Sequence, residues 1–328
     1  MKLTVDCDST GQLFAMPQTS MLAHLLSKAD VSYVDLPLEA LVCEQHHLSS
    51  VPDYPIAAIA ASEDGLDVGS AYWLRADPVH LVLQRDSFSL SEPCPLPVLR
   101  EHAEAIMASL NQHFEQDGLK FCLGDSGAWY VCLAQPPQIK TALPAMAMGK
   151  NIAHYMPQGV EAGHWVAYLN EVQMLLHGHA ANVARELVGD VVINSVWLSG
   201  GGVMPAPQTT KPAVAFDCMI GSHVFYQGLA RRSGVVCQPG VAYQKVSLSL
   251  QDTISQFTKQ SNVRLQLTQE MLLEESTFQV LLNALKTKKI SQLVIHLACY
   301  EQTLVAKINP IDLYKFWRKS KPMSAYLL

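Results

Sequence analysis

This chain contains few charged residues, and acidic residues slightly outnumber basic ones. Only 16% of the 328 residues are charged, with 23 basic against 29 acidic side chains, which leaves a net charge of −6. A general nucleic-acid-binding surface needs a surplus of clustered cations, so we expect no nucleic-acid partner. Two short basic clusters occur late in the chain, Lys286/Lys288/Lys289 and Arg318/Lys319/Lys321. The first is interpreted as the solvated last turn of a helix, where cations offset the helix dipole.

The eight cysteines have no C-x-x-C spacing, and the first residues have no apolar run of the kind found in a signal peptide. The missing spacing excludes zinc-ribbon and thioredoxin-like motifs, so we predict reduced thiols and no cofactor. Residues 191–210 are uncharged, but three glycines and two prolines among them disfavour a spanning helix. We therefore expect a cytoplasmic protein with no membrane partner.

Segments in which apolar residues recur with helical spacing follow segments with strand spacing along the chain. This order favours an α/β fold with a mixed or mostly parallel sheet flanked by helices. The pattern predicts a β-hairpin over Val79–Leu90, a helix over Thr268–Lys286 and a strand over Ala213–Phe216. Three prolines between residues 93 and 97 form a stiff connector. We place a boundary there, between an N-terminal lobe of residues 1–92 and a main lobe of residues 93–328, with a single domain as the alternative.

A long helix is predicted from His164 to Val188. At 100° per residue, Glu171, Asn182 and Arg185 fall in one stripe along it. Two interpretations stay open for this stripe. It could be a hydrogen-bond network that fixes the helix, or it could face a ligand whose carboxylate or phosphate Arg185 would hold. Because Arg185 lies at the far end of the helix from the glycines that follow the next strand, we expect Asn170 near those glycines and do not expect Arg185 to be a ligand-binding residue.

Gly200–Gly202 follow a predicted strand, Val191–Leu198, at the position where open α/β sheets bind ligands. Backbone amides of a glycine loop can hold an anion such as a phosphorylated ligand. No Lys-Ser/Thr pair follows the glycines, and prolines replace the helix that a dinucleotide-binding fingerprint requires. The alternative interpretation is that the glycines let Trp197 and nearby backbone pack closely. Trp197 itself is predicted to be buried in a central strand.

Asp77 and His80 form a second candidate pair, since Asp77 could orient His80 as a general base. A turn aspartate and a surface histidine are the alternative. Asp6, Asp8 and Ser9 resemble an acidic metal cluster at the end of a strand, although an ordinary loop explains them as well. We predict no catalytic residue and no metal site. The candidate ligand-binding residues are Asn170, Glu171, His177, Gly200, Gly201, Gly202, Asp77 and His80.

Several sequence blocks carry a family resemblance. NEVQMLLHGHAANVAREL followed by INSVWLSGGG, together with ADPVHL, resembles the RpfE-type regulatory proteins of bacteria. The segment from Trp197 to Pro205 is similar to a tryptophan-glycine segment of archaeal-type, cofactor-independent phosphoglycerate mutases. Those mutases belong to the alkaline-phosphatase-like superfamily and use two divalent metals, a serine nucleophile and ligands from several Asp and His motifs. The resemblance therefore implies a degenerate mutase-like scaffold.

The metal-binding motifs of such mutases are missing from this chain. The N-terminal VDCDSTG has the wrong order for an acidic entry motif, and only Asp217, Asp252 and Asp312 remain as aspartates after Pro205. Two-metal phosphoryl transfer needs many hard oxygen ligands. The resemblance thus implies a catalytically inert regulatory protein that binds a small anionic ligand or a protein partner. Two alternatives stay open. The first is an active metal-dependent phosphomutase or phosphohydrolase whose ligands include Asp6, Asp8, Asp77 and His80. The second is an interaction module that dimerises.

Overall fold

A computed structural model describes residues 1–8, 16–17, 19–206, 215–240 and 246–327. Its strands are β1 (Lys2–Cys7), β2 (Asp30–Val34), β3 (Tyr72–Val79), β4 (Leu81–Leu83), β5 (Phe88–Leu90), β6 (Lys120–Leu123), β7 (Trp129–Leu133), β8 (Ser195–Val203), β9 (Cys218–Ile220), β10 (Val236–Gln238), β11 (Asn262–Leu267), β12 (Gln292–Cys299) and β13 (Gln302–Ile308). Its α-helices are α1 (Met21–Lys28), α2 (Leu38–Gln45), α3 (Ile56–Glu63), α4 (Arg100–His113), α5 (Pro144–Ala147), α6 (Ala162–Leu176), α7 (Ala180–Leu187), α8 (Val224–Arg232), α9 (Val246–Gln256), α10 (Gln269–Leu273) and α11 (Glu275–Lys286). No helix among these residues combines the length and the apolar character that crossing a membrane requires.

The chain divides into two compact units, and the second is inserted into the first. The first unit contains Met1–His47 and Pro207–Leu328, and the second contains Leu48–Ala206. The boundary expected at residue 92 falls inside the second unit. The physical reason is strand pairing across it, because β3 lies before that boundary and hydrogen-bonds to β7 and β8, which lie after it.

The first unit is built on a sheet with the strand order β10-β9-β11-β1-β12-β13-β2. The five strands from β10 to β12 run parallel, and β13 and β2 extend the sheet by antiparallel pairing. Helices such as α1, α2 and α11 pack against this sheet. The predicted α/β class with a mostly parallel sheet is confirmed.

The two faces of this sheet differ in chemistry. On one face, alternate residues of the three central strands build the hydrophobic core with α1 and α11: Leu3, Val5, Cys7, Val263, Leu265, Leu267, Leu293, Ile295 and Leu297. On the other face the same strands present Thr4, Asp6, Arg264 and His296, and all four are buried. Buried charged groups need partners, so this second face must contain its own polar network.

The second unit contains an antiparallel sheet with the order β6-β7-β3-β8 and a separate β4-β5 hairpin. The hairpin confirms the period-two pattern of residues 79–90. Among the described strands, β8 pairs with β3 alone, so the expected central position of the strand that carries Trp197 is wrong. Trp197 is nevertheless buried, as predicted, because its indole lies in an apolar cluster with Val79 and Ile152 and donates to the Ala142 carbonyl at 2.8 Å.

Two predicted helices are each interrupted. The helix expected over residues 164–188 is broken into α6 and α7 at Gly178, which has a φ of +73° and closes α6. The next residue, His179, begins α7 by accepting a hydrogen bond from the Ala181 amide. The helix expected over residues 268–286 is likewise divided, at Glu274. The strand expected at Ala213–Phe216 lies partly outside the described residues, and the described part, Ala215 and Phe216, is not a strand.

Candidate functional site

A buried group of charges lies on the polar face of the parallel sheet. Asp6 is near the carboxyl end of β1, and its neighbours come from the strands on either side. Arg264 Nε on β11 donates to Asp6 Oδ2 at 2.5 Å, and His296 Nδ1 on β12 lies 2.7 Å from Asp6 Oδ1. Burial alone would raise the pKa of Asp6, but Arg264 and His296 outweigh it and hold that pKa below its usual range. Asp6 is therefore ionised and fully enclosed by its own partners.

Arg264 is enclosed as completely as the carboxylate. Its Nη1 donates to Gln45 Oε1 at 2.8 Å, and its guanidinium lies 5.2 Å from the ring centre of Phe216 and 5.8 Å from that of Tyr226. The remaining nitrogen, Nη2, is buried without a hydrogen-bond partner among the described residues. Facing aromatic rings stabilise a desolvated guanidinium, so the cation is held both by Asp6 and by the two rings.

These contacts test whether the first unit can hold the divalent metals that a mutase resemblance implies. A metal at the end of β1 would need free oxygens of Asp6, but both of them are already hydrogen-bonded by Arg264 and His296. Arg264 also places a positive charge where a cation would have to bind. Among the described residues, no group of three or more His, Cys, Asp and Glu side chains is arranged to hold a metal ion. The described residues of the first unit therefore do not fit a two-metal centre.

The three consecutive glycines lie inside β8 and do not form a loop, which corrects the predicted anion-binding turn. Register shifts between β3 and β8 at this point, where Gly200 has a φ of +66°, as in a glycine β-bulge. An added Cβ at Gly201 would lie 2.3 Å from Tyr72 Oη, and one at Gly202 would lie 2.6 Å from Pro55 Cβ. Close packing therefore explains why these positions are glycine.

A carboxylate does bind the glycine backbone, but it belongs to the chain itself. The buried side chain of Asp53 accepts a backbone hydrogen bond from Gly201. It also accepts hydrogen bonds from the Thr141 amide, at 2.9 Å, and from the Thr141 hydroxyl, at 2.5 Å. Burial raises the pKa of Asp53, while these hydrogen bonds oppose the rise. The position expected for an external anion is thus filled by Asp53.

The polar stripe predicted on the long helix is divided among structural contacts. Arg185 is buried and donates to the carbonyls of Val191 and Pro97. Asn182 is also buried and ties Leu176 and Ile193 together through three backbone hydrogen bonds. These contacts agree with the structural interpretation of Asn182 and Arg185.

Of the other residues in that region, Glu171 is half-exposed and pairs with His113 Nε2 at 2.6 Å, so it does not join Asn182 and Arg185 in one network. His177 is exposed where α6 ends. Neither residue is in the lining of the cavity beside β8.

The side chains of Asp77 and His80 each contact a different group of the second unit. Asp77 is buried in β3, with its carboxylate 3.9 Å from Arg75 Nε. His80 lies just after β3, and its Nδ1 is 2.9 Å from the carbonyl of Val192. No hydrogen bond joins the two side chains among the contacts of the described residues. The predicted arrangement of a base oriented by Asp77 is therefore not formed.

A cavity of about 310 Å³ lies within the second unit, beside β8. Helix α6 contributes Leu169, Asn170 and Gln173, and β8 contributes Ser195 to Leu198. The hairpin loop and a short 3₁₀ turn supply the other walls, which are mainly apolar: Leu81, Asp86, Ser87, Phe88, Asn151, Ile152, Ala153, Tyr155, Met156 and Pro157. The predicted candidate Asn170 is thus on a cavity, whereas Gly200–Gly202 are absent from its lining.

The lining of this cavity is partly apolar and carries little formal charge. Asn170 and Gln173 are three residues apart on α6, so their carboxamides share one helix face. A carboxamide both donates and accepts hydrogen bonds. Among the described residues that line the cavity, Asp86 carries the single formal charge, and it is negative. The volume is near the lower limit of small-molecule sites and equals that of about ten liquid waters.

Sequence reasoning named Asn170 as a candidate, and the structure places it in the cavity lining, but most of that lining was missed. Many wall residues come from 86–88, in the hairpin, and from 151–157, which show no clear periodicity, and no sequence signal places either segment beside α6. The one available signal was the spacing of Asn170 and Gln173 on an otherwise apolar helix.

Comparison with solved structures gives six matching chains, two of which are described here. A cofactor-independent phosphoglycerate mutase from Thermoplasma acidophilum is 13% identical, with 94% of this chain and 89% of the mutase covered, at a TM-score of 0.39. A protein of Pyrococcus horikoshii is 10% identical, with 94% and 87% covered, at a TM-score of 0.43. No protein-family model and no curated protein matches the chain. Because both TM-scores are below 0.5, the fold assignment rests on the strands and helices of this chain.

Proposed function

We propose that this protein is a mutase-like regulatory protein of the RpfE type that acts by binding a small, uncharged ligand in the cavity of its second unit, without phosphoryl-transfer chemistry. The observation that carries the proposal is the lining of that cavity, to which α6 contributes Asn170 and Gln173 among mainly apolar residues. Such a lining recognises a hydroxyl or amide group attached to an apolar body. The family type rests on the quoted sequence blocks.

The state of Asp6 supports the absence of metal-dependent turnover. Its two oxygens are saturated by Arg264 and His296 in a buried setting. Displacing the guanidinium to admit a divalent ion would leave a buried cation without its counter-charge, which is strongly unfavourable. The expected anionic ligand gives way to a neutral one for a similar reason. The cavity lining offers no cation among its described residues, and Asp53 already occupies the glycine backbone.

Ligand binding can be tested by thermal shift with a library of small neutral amides and alcohols. A ligand that binds only the folded state at one hundred times its Kd stabilises it by about 2.7 kcal/mol. We expect such a compound to be found, and Asn170→Ala with Gln173→Ala to abolish its shift. His177→Ala is the matched control, because His177 is exposed on the same helix end but does not line the cavity. A best ligand that is a phosphate or carboxylate, with binding unchanged in the double variant, would contradict the proposal.

Catalysis is tested separately with p-nitrophenyl phosphate and 3-phosphoglycerate in the presence of Mg²⁺ or Mn²⁺. We expect no turnover above a matched Asp6→Asn variant. Turnover that disappears on chelation and in Asp6→Asn would restore the active-enzyme alternative.

A further inference from the structure

The first unit exposes four large apolar side chains that lie close together in sequence, between residues 311 and 317. Ile311 is 75% exposed, Tyr314 76%, Phe316 85% and Trp317 66%. Single exposed apolar residues are ordinary, but four within seven residues form a patch that calls for a binding partner. Together with the exposed Lys319 and Lys321, these residues are called the aromatic–basic patch.

The patch is held in place by buried contacts. Lys28 is buried, and its Nζ donates to the carbonyl of Lys315 at 3.0 Å and to that of Arg318 at 2.7 Å. The Arg318 guanidinium donates back to the Ala29 carbonyl at 2.7 Å. The backbone on both sides of Phe316 and Trp317 is thereby fixed to the end of α1. The exposed rings are preorganised, so binding through them does not first require the ordering of a loop.

The start of the patch is fixed in the same way. Asp312 accepts from the Asn309 amide at 2.7 Å and pairs with Lys315 Nζ at 2.6 Å, while Leu313 packs on the core of the unit. These inward contacts of the 3₁₀ turn Pro310–Tyr314 leave Ile311 and Tyr314 on the outer side. One side of the turn, with Asp312 and Leu313, thus packs against the unit, and the other side, with Ile311 and Tyr314, is exposed.

The charge of this segment is opposite to that of the whole chain. Residues 310–321 contain four basic residues and one acid, whereas the chain carries a net charge of −6. The acid, Asp312, is already paired with Lys315. Lys319 and Lys321 are exposed and follow the rings closely in sequence. A partner that complements this surface must offer negative charge next to an apolar layer.

We propose that the aromatic–basic patch docks the protein peripherally on an anionic lipid surface. Trp and Tyr rings favour the headgroup region, Ile and Phe side chains reach the acyl boundary, and lysines pair with anionic headgroups. A protein partner is less well matched, because lysine is depleted in protein–protein interfaces. A single-stranded nucleic acid would use the rings for stacking but gains nothing from an aliphatic Ile311. The sequence-based expectation of no membrane partner concerned a spanning helix and does not exclude this mode.

The test is sedimentation of the full chain with sucrose-loaded vesicles of phosphatidylcholine alone and of phosphatidylcholine with phosphatidylglycerol. We expect at least about tenfold stronger partitioning onto the anionic vesicles, weakening as salt shortens the Debye length from about 10 Å at 0.1 M to about 3 Å at 1 M. Removing two surface lysines, as Lys319→Gln with Lys321→Gln, should reduce that partitioning by about thirtyfold. Phe316→Ala with Trp317→Ala should weaken binding to both kinds of vesicle.

Leu187→Ala with Val188→Ala is the matched control, since those side chains are 83% and 74% exposed in the second unit and lie beside acids. It should leave partitioning unchanged. All these side chains are exposed, so unchanged melting temperatures show that each variant is folded. The proposal is overturned if the parent chain stays in the supernatant with anionic vesicles, if the control weakens partitioning as much as the patch variants, or if light scattering shows that the patch variants abolish a dimer instead. Tighter binding of the patch to a single-stranded oligonucleotide than to the vesicles also overturns it.

Discussion

Replacing Arg264 by leucine tests whether the buried charges of the first unit are a structural ion pair. In Arg264→Leu, the fully buried Asp6 carboxylate loses its guanidinium partner and keeps only His296. Removing one partner of a buried pair costs about 3–5 kcal/mol in the free energy of unfolding. For a unit of this size each kcal/mol corresponds to about 2–4 °C, so the melting temperature should fall by roughly 6–20 °C.

The pH dependence of this loss gives a second readout. Asp6 has a pKa below its unfolded value of about 3.9, so the stabilisation by the pair is fully present above that pH and disappears as the pH falls through the folded pKa. In the variant, the effect of burial on Asp6 is no longer outweighed by Arg264, and protonation of Asp6 relieves the strain of an uncompensated charge. The stability deficit of Arg264→Leu should therefore be largest near neutral pH and should shrink between about pH 5 and 3.

Urea denaturation followed by circular dichroism measures both effects. The matched control is Arg100→Leu, because Arg100 and Glu104 form an exposed pair that should contribute less than about 1 kcal/mol. The double variant Asp6→Leu with Arg264→Leu should regain much of the loss, since apolar side chains often replace a buried pair without cost. A single variant that melts within about one degree of the parent, or a deficit that grows on acidification, would refute the reasoning.

Three further outcomes are expected for the second unit. Gly201→Ala should lower the free energy of unfolding by about 1–3 kcal/mol, because its Cβ would lie 2.3 Å from Tyr72 Oη. The control Gly163→Ala on α6 meets nothing within 4 Å and should raise that free energy by up to about 1 kcal/mol. Equal effects of the two variants in thermal melts would contradict the packing role of Gly201. Trp197→Ala should lower the free energy of unfolding by about 3–5 kcal/mol, because Trp197 is 5% exposed and its indole donates a hydrogen bond to the Ala142 carbonyl. A variant with the melting temperature of the parent would show that this packing does not stabilise the protein. Asn182→Ala should lower the free energy of unfolding by about 2–4 kcal/mol, because it leaves buried backbone groups of Leu176 and Ile193 without hydrogen bonds. The control Asn111→Ala removes two hydrogen bonds to Phe121 that are only partly buried, so it should lower that free energy by less in the same denaturation assay.

Local elements were predictable where periodicity and capping agree. In the hairpin of residues 79–90, Val79, Leu81 and Leu83 recur at every second position, and α1 begins where Ser20, a residue type favoured at helix N-caps, accepts a hydrogen bond from the Ala23 amide. The broken helix was not predictable from periodicity, because the apolar spacing continues on both sides of Gly178. What ends α6 is a backbone conformation at one glycine, and the same residue type is tolerated inside many helices.

The candidate site was less predictable because its residues are brought together by sheet order. Asp6 and Arg264 are 258 residues apart, and nothing near either residue identifies the other as its neighbour. The alternation Val263, Leu265, Leu267 could have indicated β11, but it would have placed Arg264 on a solvated face. The glycines of β8 show the same limit, since Tyr72 and Pro55 determine their role and both are distant in sequence.

The position of β1 between β11 and β12 has a consequence for how the chain is made. At about 5–20 residues per second, roughly 12–50 s separate the synthesis of β1 from that of β11. Throughout that interval the whole second unit leaves the ribosome, while Leu3, Val5 and the charged Asp6 have neither of their neighbouring strands. The inserted unit is therefore free to fold first, and the N-terminal strand must remain unpaired until about the last fifth of the chain arrives. A nascent chain arrested before residue 262 would present β1 as an open strand edge, which is the kind of surface that chaperones and aggregation compete for.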